Sequence, residues 1–273
     1  MDQVSRRGFT MGGCEDKMKE YHLSAQALAL VIGSSKGTQP KYFDDGYWYK
    51  TDSNGYEGLS EYLAAMVLGH TNIYDYVAYE RCVVNGRKGC RSANFLCEGE
   101  SFISLERLYN IYTGDSLSNA VMTWKEPCDR IGYVIDFVQE YTGLDISRYL
   151  SDILSLDALL LNDDRHFHNL GIIADRERNV FRCSPIFDNG SSLLSDFNKY
   201  PLFDSVEENM EKVVGKPFSA NLYAQAMAAG IYLEIDYEGL KKDIASEPPS
   251  RALTVLQMQL EFYRGVFSEQ TSL

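Results

Sequence analysis

The sequence has no cysteine pair at C-x-x-C spacing, and its four histidines lie away from most of its six cysteines. A zinc cluster is therefore not expected, nor is a disulfide framework in a chain of 273 residues. We read Cys14, Cys82, Cys90, Cys97, Cys128 and Cys183 as reduced, mostly buried thiols. No stretch approaches the roughly 20 apolar residues of a membrane span. There is no internal repeat and no low-complexity tract. Ser5-Arg6-Arg7-Gly8-Phe9 has the look of a twin-arginine export signal. Gly12 to Glu20 is polar where such a signal needs an apolar run, so export is not expected. Cations are also in short supply: 26 Lys and Arg face 39 Asp and Glu, a net charge of -13 with a pI near 4.8. An acidic surface disfavours direct binding to nucleic acid or to an anionic membrane. It leaves room for a local basic pocket, and we expect a cytoplasmic protein.

Forty-five per cent of the residues are hydrophobic, enough for one large domain or two modest lobes. Residues 1–20 are polar and read as a flexible N-terminus. Tyr21 to Ile32 is apolar enough for a short helix or, in its last part, a strand. Gly33 to Lys41 forms a loop of small and hydroxyl residues. Tyr42-Phe43 and Tyr47-Trp48-Tyr49 flank Asp44-Asp45-Gly46, a hairpin signal, and Lys50 ends the second strand. Leu59, Tyr62, Leu63, Met66 and Val67 recur at helical spacing, predicting a helix from about Glu57 to Leu68. Tyr74–Val84 and Arg91–Cys97 read as strands. The part spanning 21–98 is thus a small sheet with one helix.

From 99 to 273 the pattern is mostly helical. Ile131, Val134, Ile135, Val138 and Tyr141 mark one apolar face, and Ile146 to Leu161 another. Asp157 lies on that second stripe and reads as a structural hydrogen-bond anchor. Leu170 to Phe187 predicts a hairpin turning at Asp175–Asn179. Further helices follow at about 205–214, at 219–229 capped by Ser219, at 236–245, and at 250–267 capped by Ser250. The expected fold is α+β and bilobal, with a small sheet-rich N-lobe, a larger mainly helical C-lobe and a cleft between them.

The stretch from Asn162 to Gly190 carries the chemistry. It holds Asp164 and, five residues on, Asn169; Asp188 follows after the hairpin. Phosphoryl transfer from a nucleotide needs such a set. One carboxylate orients the attacking hydroxyl or accepts its proton, while an amide and a second carboxylate hold Mg²⁺ on the phosphates. Both metal ligands offer the hard oxygens that Mg²⁺ prefers. The bland alternative is a solvated charged loop before an ordinary hairpin. His166 and His168, at i, i+2 without a third ligand, suit zinc poorly. His166 is read as supporting the loop through hydrogen bonds, and His168 as partly exposed. Arg165 is read either as steadying the loop or a phosphate, or as a surface cation.

At these residues the chain resembles the HipA-like serine/threonine kinases, in particular their compact CtkA-like branch. The matching motif is Asp164-x-His166-x-x-Asn169 with Phe187-Asp188. Upstream, Gly37-Thr38-Gln39-Pro40-Lys41 is similar to the family's phosphate loop, although no G-x-G-x-x-G is present. The resemblance implies a two-lobed kinase-like fold, ATP and Mg²⁺ as cofactors, and transfer to Ser or Thr of a protein substrate. It implies Asp164 as the base or orienter, Asn169 and Asp188 as metal ligands, and Lys50 as the strand lysine on the ATP phosphates. Glu61 is its implied helix partner, with Glu57 as the competitor. Ser35, Gly37, Gln39, Lys41 and His166 join the nucleotide-binding set. The resemblance also implies autophosphorylation at Ser34 or Ser35, which would place negative charge beside the nucleotide phosphates and self-inhibit. An antitoxin or other regulatory partner is left open.

Two other functions compete. Phosphatidylinositol-type kinases use an Asp-Arg-His-x-x-Asn loop as well, so a lipid or small-molecule substrate is one. The acidic charge and the lack of a basic amphipathic face argue against it. The other is a nucleotide-binding pseudokinase scaffold, which predicts a defective catalytic position. Lys50, Asp164, Asn169 and Asp188 are all present.

Overall fold

A computed structural model of the protein describes residues 18–28 and 40–270. Residues 1–17 of the expected flexible terminus fall outside it, as do Ser34, Ser35, Gly37 and Gln39 of the phosphate loop. The fold is α+β, sheet-rich in its N-terminal part and helical in its C-terminal part.

Five strands make the first sheet: β1 (Lys19–Tyr21), β2 (Lys41–Asp44), β3 (Tyr47–Thr51), β4 (Glu80–Val84) and β5 (Arg87–Ala93), in the order β1-β4-β5-β3-β2. The β1–β4 pairing is parallel and the other three pairings are antiparallel. Asp45-Gly46 and Asn85-Gly86 turn the two hairpins, all four residues with positive φ. That is the backbone a two-residue hairpin demands, and Asp, Asn and Gly adopt it at low cost. The first turn is where the aromatic pattern predicts it. The second corrects the expectation of single strands at Tyr74–Val84 and Arg91–Cys97. Pairing begins only at Glu80, and residues ahead of it bridge instead to the C-terminal part, Tyr76 to Ile186.

Helix α1 (Glu57–Gly69) buries Leu63, Ala64, Val67 and Leu68. It lies unusually close to the sheet because two glycines meet there. A Cβ on Gly58 would sit 2.5 Å from the carbonyl carbon of Gly89, and one on Gly89 would collide with the carbonyl of Lys50. The start of α1 has no side-chain cap from Tyr56. Its first residue does the work instead: the Glu57 carboxylate accepts from the backbone N–H groups of Ser53, Asn54 and Gly55.

A second sheet opens the C-terminal part. Strands β6 (Glu100–Ser104), β7 (Gly171–Asp175) and β8 (Val180–Cys183) pair antiparallel in that order. β7 and β8 form the expected hairpin. β6 adds a strand to a region read as mostly helical with one hairpin; its partner lies some 70 residues away in sequence. The helices are α2 (Leu105–Thr113), α3 (Leu117–Val121), α4 (Pro127–Thr142), α5 (Ser147–Leu160), α6 (Val206–Glu211), α7 (Leu222–Ala229), α8 (Tyr237–Ser246) and α9 (Arg251–Gln270). α7 starts later than expected because Asn221, rather than Ser219, caps it by accepting from Ala224 N. Cys14 lies outside the described residues, and the five described thiols depart from the reading as mostly buried. Cys82 and Cys90 are buried on adjoining strands, Cys183 is half-buried, and Cys97 and Cys128 are exposed, in a loop and in the first turn of α4.

Helix α5 is the axis of the core. Leu150, Ile153, Leu154, Leu156, Leu159 and Leu160 are all wholly buried on it. Asp157 is buried among them, and its partner is Arg165, which has no exposed side-chain surface either. Arg165 Nε and a terminal nitrogen each donate to Asp157 at 2.8 Å. The same guanidinium donates to the Phe187 carbonyl at 2.8 Å and to Asn189 Oδ1 at 2.7 Å. Asn162 Nδ2 adds a third donor to Asp157. Arg165 is therefore neither a surface cation nor a phosphate ligand. It ties the loop after α5 to the segment after β8, using donors that are all matched.

Breaking one side of a buried ion pair leaves an unmatched charge. Asp157→Leu and Arg165→Met are each expected to lower stability by about 3–5 kcal/mol. The Asp157→Leu/Arg165→Met double variant is expected to lose much less than the sum of the single changes. Urea unfolding midpoints at constant m check this, and additive losses would show that the pair is not energetically coupled.

Candidate active site

The two parts of the chain face each other across a cleft of about 200 Å³. Lys41, Trp48 and Lys50 line it from the first sheet, and Asn169, Phe187 and Asp188 from the loops around β7 and β8. Three rings, Phe95, Phe102 and Phe187, pack with centroids 5.4–6.1 Å apart and form an apolar wall.

Lys50 sits in the last part of β3, opposite Cys90 of β5, so the strand delivers its ammonium to the cleft floor. There it donates to Glu61 Oε1 at 2.5 Å and to Asp188 Oδ1 at 2.7 Å. Burial pulls the Lys50 ammonium down, but the Asp188 and Glu61 carboxylates outweigh it and lift it well above the ordinary lysine range. Asp188 is the mirror case. Burial alone would push it up, yet the Lys50 and Lys41 ammoniums hold it well below the usual carboxylate range. Lys41 is drawn up by Asp188, but burial and the neighbouring Lys50 charge leave it lower than an ordinary lysine. Two cations and two anions thus share one enclosed volume.

Glu61, not Glu57, partners Lys50. Four residues place the two glutamates on one face of α1, one turn apart. Glu57 is held by the three loop amides, and Glu61 stands over the strand lysine. The second oxygen of Glu61 accepts from Asn189 N at 2.8 Å, which fixes the turn that follows Asp188. Asp188 itself has φ of +61°, the left-handed region that Asp tolerates better than most residues. Its N–H points to Tyr79 Oη at 3.4 Å.

The catalytic-loop candidates follow α5. Leu161 ends the helix in the left-handed conformation, and Asn162 turns its side chain back to Asp157. Asp163 is buried and accepts from Lys199 at 2.8 Å and from Tyr200 Oη at 2.6 Å, a structural role that the sequence reading had not assigned. Asp164 is half-exposed and is not among the residues that line the cleft. Asn169 is buried; its Oδ1 accepts from His166 N at 2.9 Å, and its Nδ2 points to the Asp164 carbonyl at 3.4 Å. Asn169 therefore closes the Asp164–Asn169 loop upon itself and shares the cleft with Asp188. Burial holds the His166 imidazole below its ordinary value, against the pull of both the Asp164 and Asp188 carboxylates. His166 thus lies within the field of both acids. His168 is exposed.

Among the described residues, no group of three or more His, Cys, Asp and Glu side chains makes a self-sufficient metal site. A Mg²⁺ ion does not need one, since it is commonly held by one or two protein oxygens, water and substrate phosphate. The Asp188 carboxylate and the Asn169 amide oxygen fit that demand. An amide oxygen has two lone pairs, so the bond from His166 N leaves Asn169 able to coordinate.

No family model matches the sequence, and no curated protein matches it. Solved structures do. The proinflammatory kinase CtkA of Helicobacter pylori aligns over 91% of this chain and 94% of its own, at 16% identity, with a TM-score of 0.62. HipA of Shewanella oneidensis MR-1, solved with HipB and operator DNA, aligns over 89% of this chain and 67% of its own, at 13% identity and a TM-score of 0.49. The likeness to CtkA is one of fold, and it spans nearly the whole of both chains: the protein has the two-part kinase-like fold that its 162–190 segment led us to expect.

Proposed function

We propose that the chain is an ATP- and Mg²⁺-dependent phosphotransferase acting on serine or threonine of a protein substrate. The observation that carries this reading is the Lys50 ammonium bonded at once to Glu61 and Asp188, in a cleft that Asn169 also lines. A kinase-like fold in which Lys50, Asn169 and Asp188 line one cavity, with Glu61 bonded to Lys50 behind it, has the parts that phosphoryl transfer uses.

Each part has a task. The Phe95–Phe102–Phe187 wall and Trp48 offer apolar contact to a nucleobase. Lys50 and Lys41 attract the phosphates, with Glu61 keeping Lys50 on station. Bound Mg²⁺ would neutralise charge on the β- and γ-phosphates, held by Asn169 and Asp188. Asp164, half-exposed, is the group we assign to the incoming hydroxyl. As the bond from that oxygen to the γ-phosphorus forms and the bond to the bridging oxygen breaks, Asp164 takes the hydroxyl proton and ADP departs. The segment with Ser34 and Ser35 is our proposed site of self-modification, and a protein regulator such as an antitoxin remains a proposal of the same kind.

With Mg²⁺–ATP at about 100 times its dissociation constant, the melting temperature is expected to rise by roughly 5–10 °C, and EDTA should abolish the rise. ADP release and intact-mass measurement then test for turnover. Asp188→Ala and Lys50→Met are each expected to lower kcat by about 1,000-fold or more. Asp164→Asn should lower it by roughly 100- to 10,000-fold. Peptide mapping should find new phosphate on Ser34 or Ser35 of the wild type only. A thermal shift with no ADP release would replace this reading by that of a nucleotide-binding scaffold.

A further inference from the structure

The Asp164-Arg165-His166 segment puts two basic side chains beside the candidate base, and neither serves it. Arg165 is committed to Asp157, Asn189 and the Phe187 carbonyl. His166 gives its backbone N–H to Asn169 Oδ1. Lys199 feels the charge of Asp164, but its ammonium is bonded to Asp163. The cation that reaches Asp164 comes from 52 residues away: Lys216 Nζ donates to Asp164 Oδ1 at 3.0 Å. The two side chains are 49% and 44% exposed, and pairs so exposed contribute little to stability. The contact is therefore poorly explained as a prop for the fold.

The loop that carries Lys216 is nevertheless held firmly. Gln225 of α7 is wholly buried, and its Oε1 accepts from Phe218 N and Ser219 N, each at 3.2 Å. Its Nε2 donates to the carbonyl of Lys216 itself at 2.9 Å. Arg130 of α4 donates to the Phe218 carbonyl at 2.7 Å. Phe218 is buried edge-on against Phe167, inside the Asp164–Asn169 loop, with centroids 5.3 Å apart. A buried amide and a buried ring thus fix the backbone of Lys216 against the catalytic-loop candidates, while its side chain stays half-exposed on Asp164.

We propose that Lys216 is a positioning residue for phosphoryl transfer: it orients the Asp164 carboxylate and supplies a positive charge beside it. This rests on the kinase reading given above. Lys216 makes and breaks no covalent bond; the hydroxyl proton still passes to Asp164. Its location, outside the nucleotide cleft lining, separates it from Lys50 and Lys41, whose loss would weaken ATP binding.

Wild type, Lys216→Met, Lys216→Arg and Asp164→Asn are compared with Mg²⁺–ATP as the probe, reading ADP release and phosphate gained by the chain. Lys216→Met should lower kcat roughly 100-fold, with KM for ATP changed by less than about threefold. Its melting temperature should stay within about 2 °C of wild type. Lys216→Arg should recover to within about tenfold of wild-type kcat, since the charge and the donor return. The proposal is overturned if Lys216→Met keeps kcat within about twofold, if KM rises while kcat holds, or if the loss merely follows a lowered melting temperature. Those results leave the kinase reading intact, because wild type remains active and Asp164→Asn does not. A wild type that releases no ADP and gains no phosphate overturns both.

Discussion

The site depends first on a guanidinium that never meets solvent. Arg165 is buried with Asp157, and between them they define where two separate loops lie. Taking both charges out of water costs several kcal/mol per ion, so the pair persists only if nearly every donor and acceptor is matched. It is. Asp157 accepts from two nitrogens of Arg165 and one of Asn162, and the rest of the fork reaches Asn189 and the backbone at Phe187. A lysine could not replace it. An ammonium is a compact point charge, and the planar fork is what lets one side chain address α5 and the Phe187–Asn189 turn together. Because Asp164 precedes Arg165 and Asp188 lies between its two partners, both acids are located by a bond that neither makes.

From Asn189 the constraint passes to the first sheet. Asn189 N donates to Glu61, Glu61 accepts from Lys50, and Lys50 donates to Asp188. The circuit closes within a few residues of where it began. Its electrostatics are mutual. Lys50 is raised because two carboxylates crowd it, and Asp188 is lowered because two ammoniums do. On the function proposed above, a phosphate with its metal ion would offer each of these groups a replacement partner, the cation for Asp188 and the anion for Lys50. Exchange of partners, rather than exposure of bare charge, is the change such a cleft asks of these residues.

The sequence made some of this readable and hid the rest for physical reasons. Asp164, Asn169 and Asp188 stood out because the chemistry lies in one short stretch, with the hairpin between its parts marked by apolar alternation. The glutamate that meets Lys50 was chosen by resemblance; what decides it is helix rotation plus the three loop amides that hold Glu57. Asp157 read as an anchor because a carboxylate on an apolar stripe needs a partner. Arg165 did not reveal itself as that partner, since the αL end of α5 that folds it back is invisible in composition. β6 was missed because its pairing is long-range, and the exposure of Cys97 and Cys128 because residue type alone does not set burial. Lys216 gave no signal at all: its meaning comes from a buried glutamine and a ring contact across 51 residues of chain, Phe167 to Phe218.

The placement of α1 has a consequence for where binding energy goes. Its position is fixed by groups internal to the protein: Gly58 against Gly89, Glu57 on its loop amides, Ser60 Oγ to the Ser192 carbonyl, and Tyr56 Oη to the Leu193 carbonyl. Tyr62 Oη adds a bond to Glu247 at 2.7 Å, and burial with that contact pushes the phenol above its ordinary range. None of these partners would have to leave for a nucleotide to enter. A helix held in this way needs no ligand to bring its glutamate to the strand lysine. On the function proposed above, interactions with a bound phosphate would then favour the transition state instead of assembling the Lys50–Glu61 pair, which is the condition under which binding energy appears in kcat.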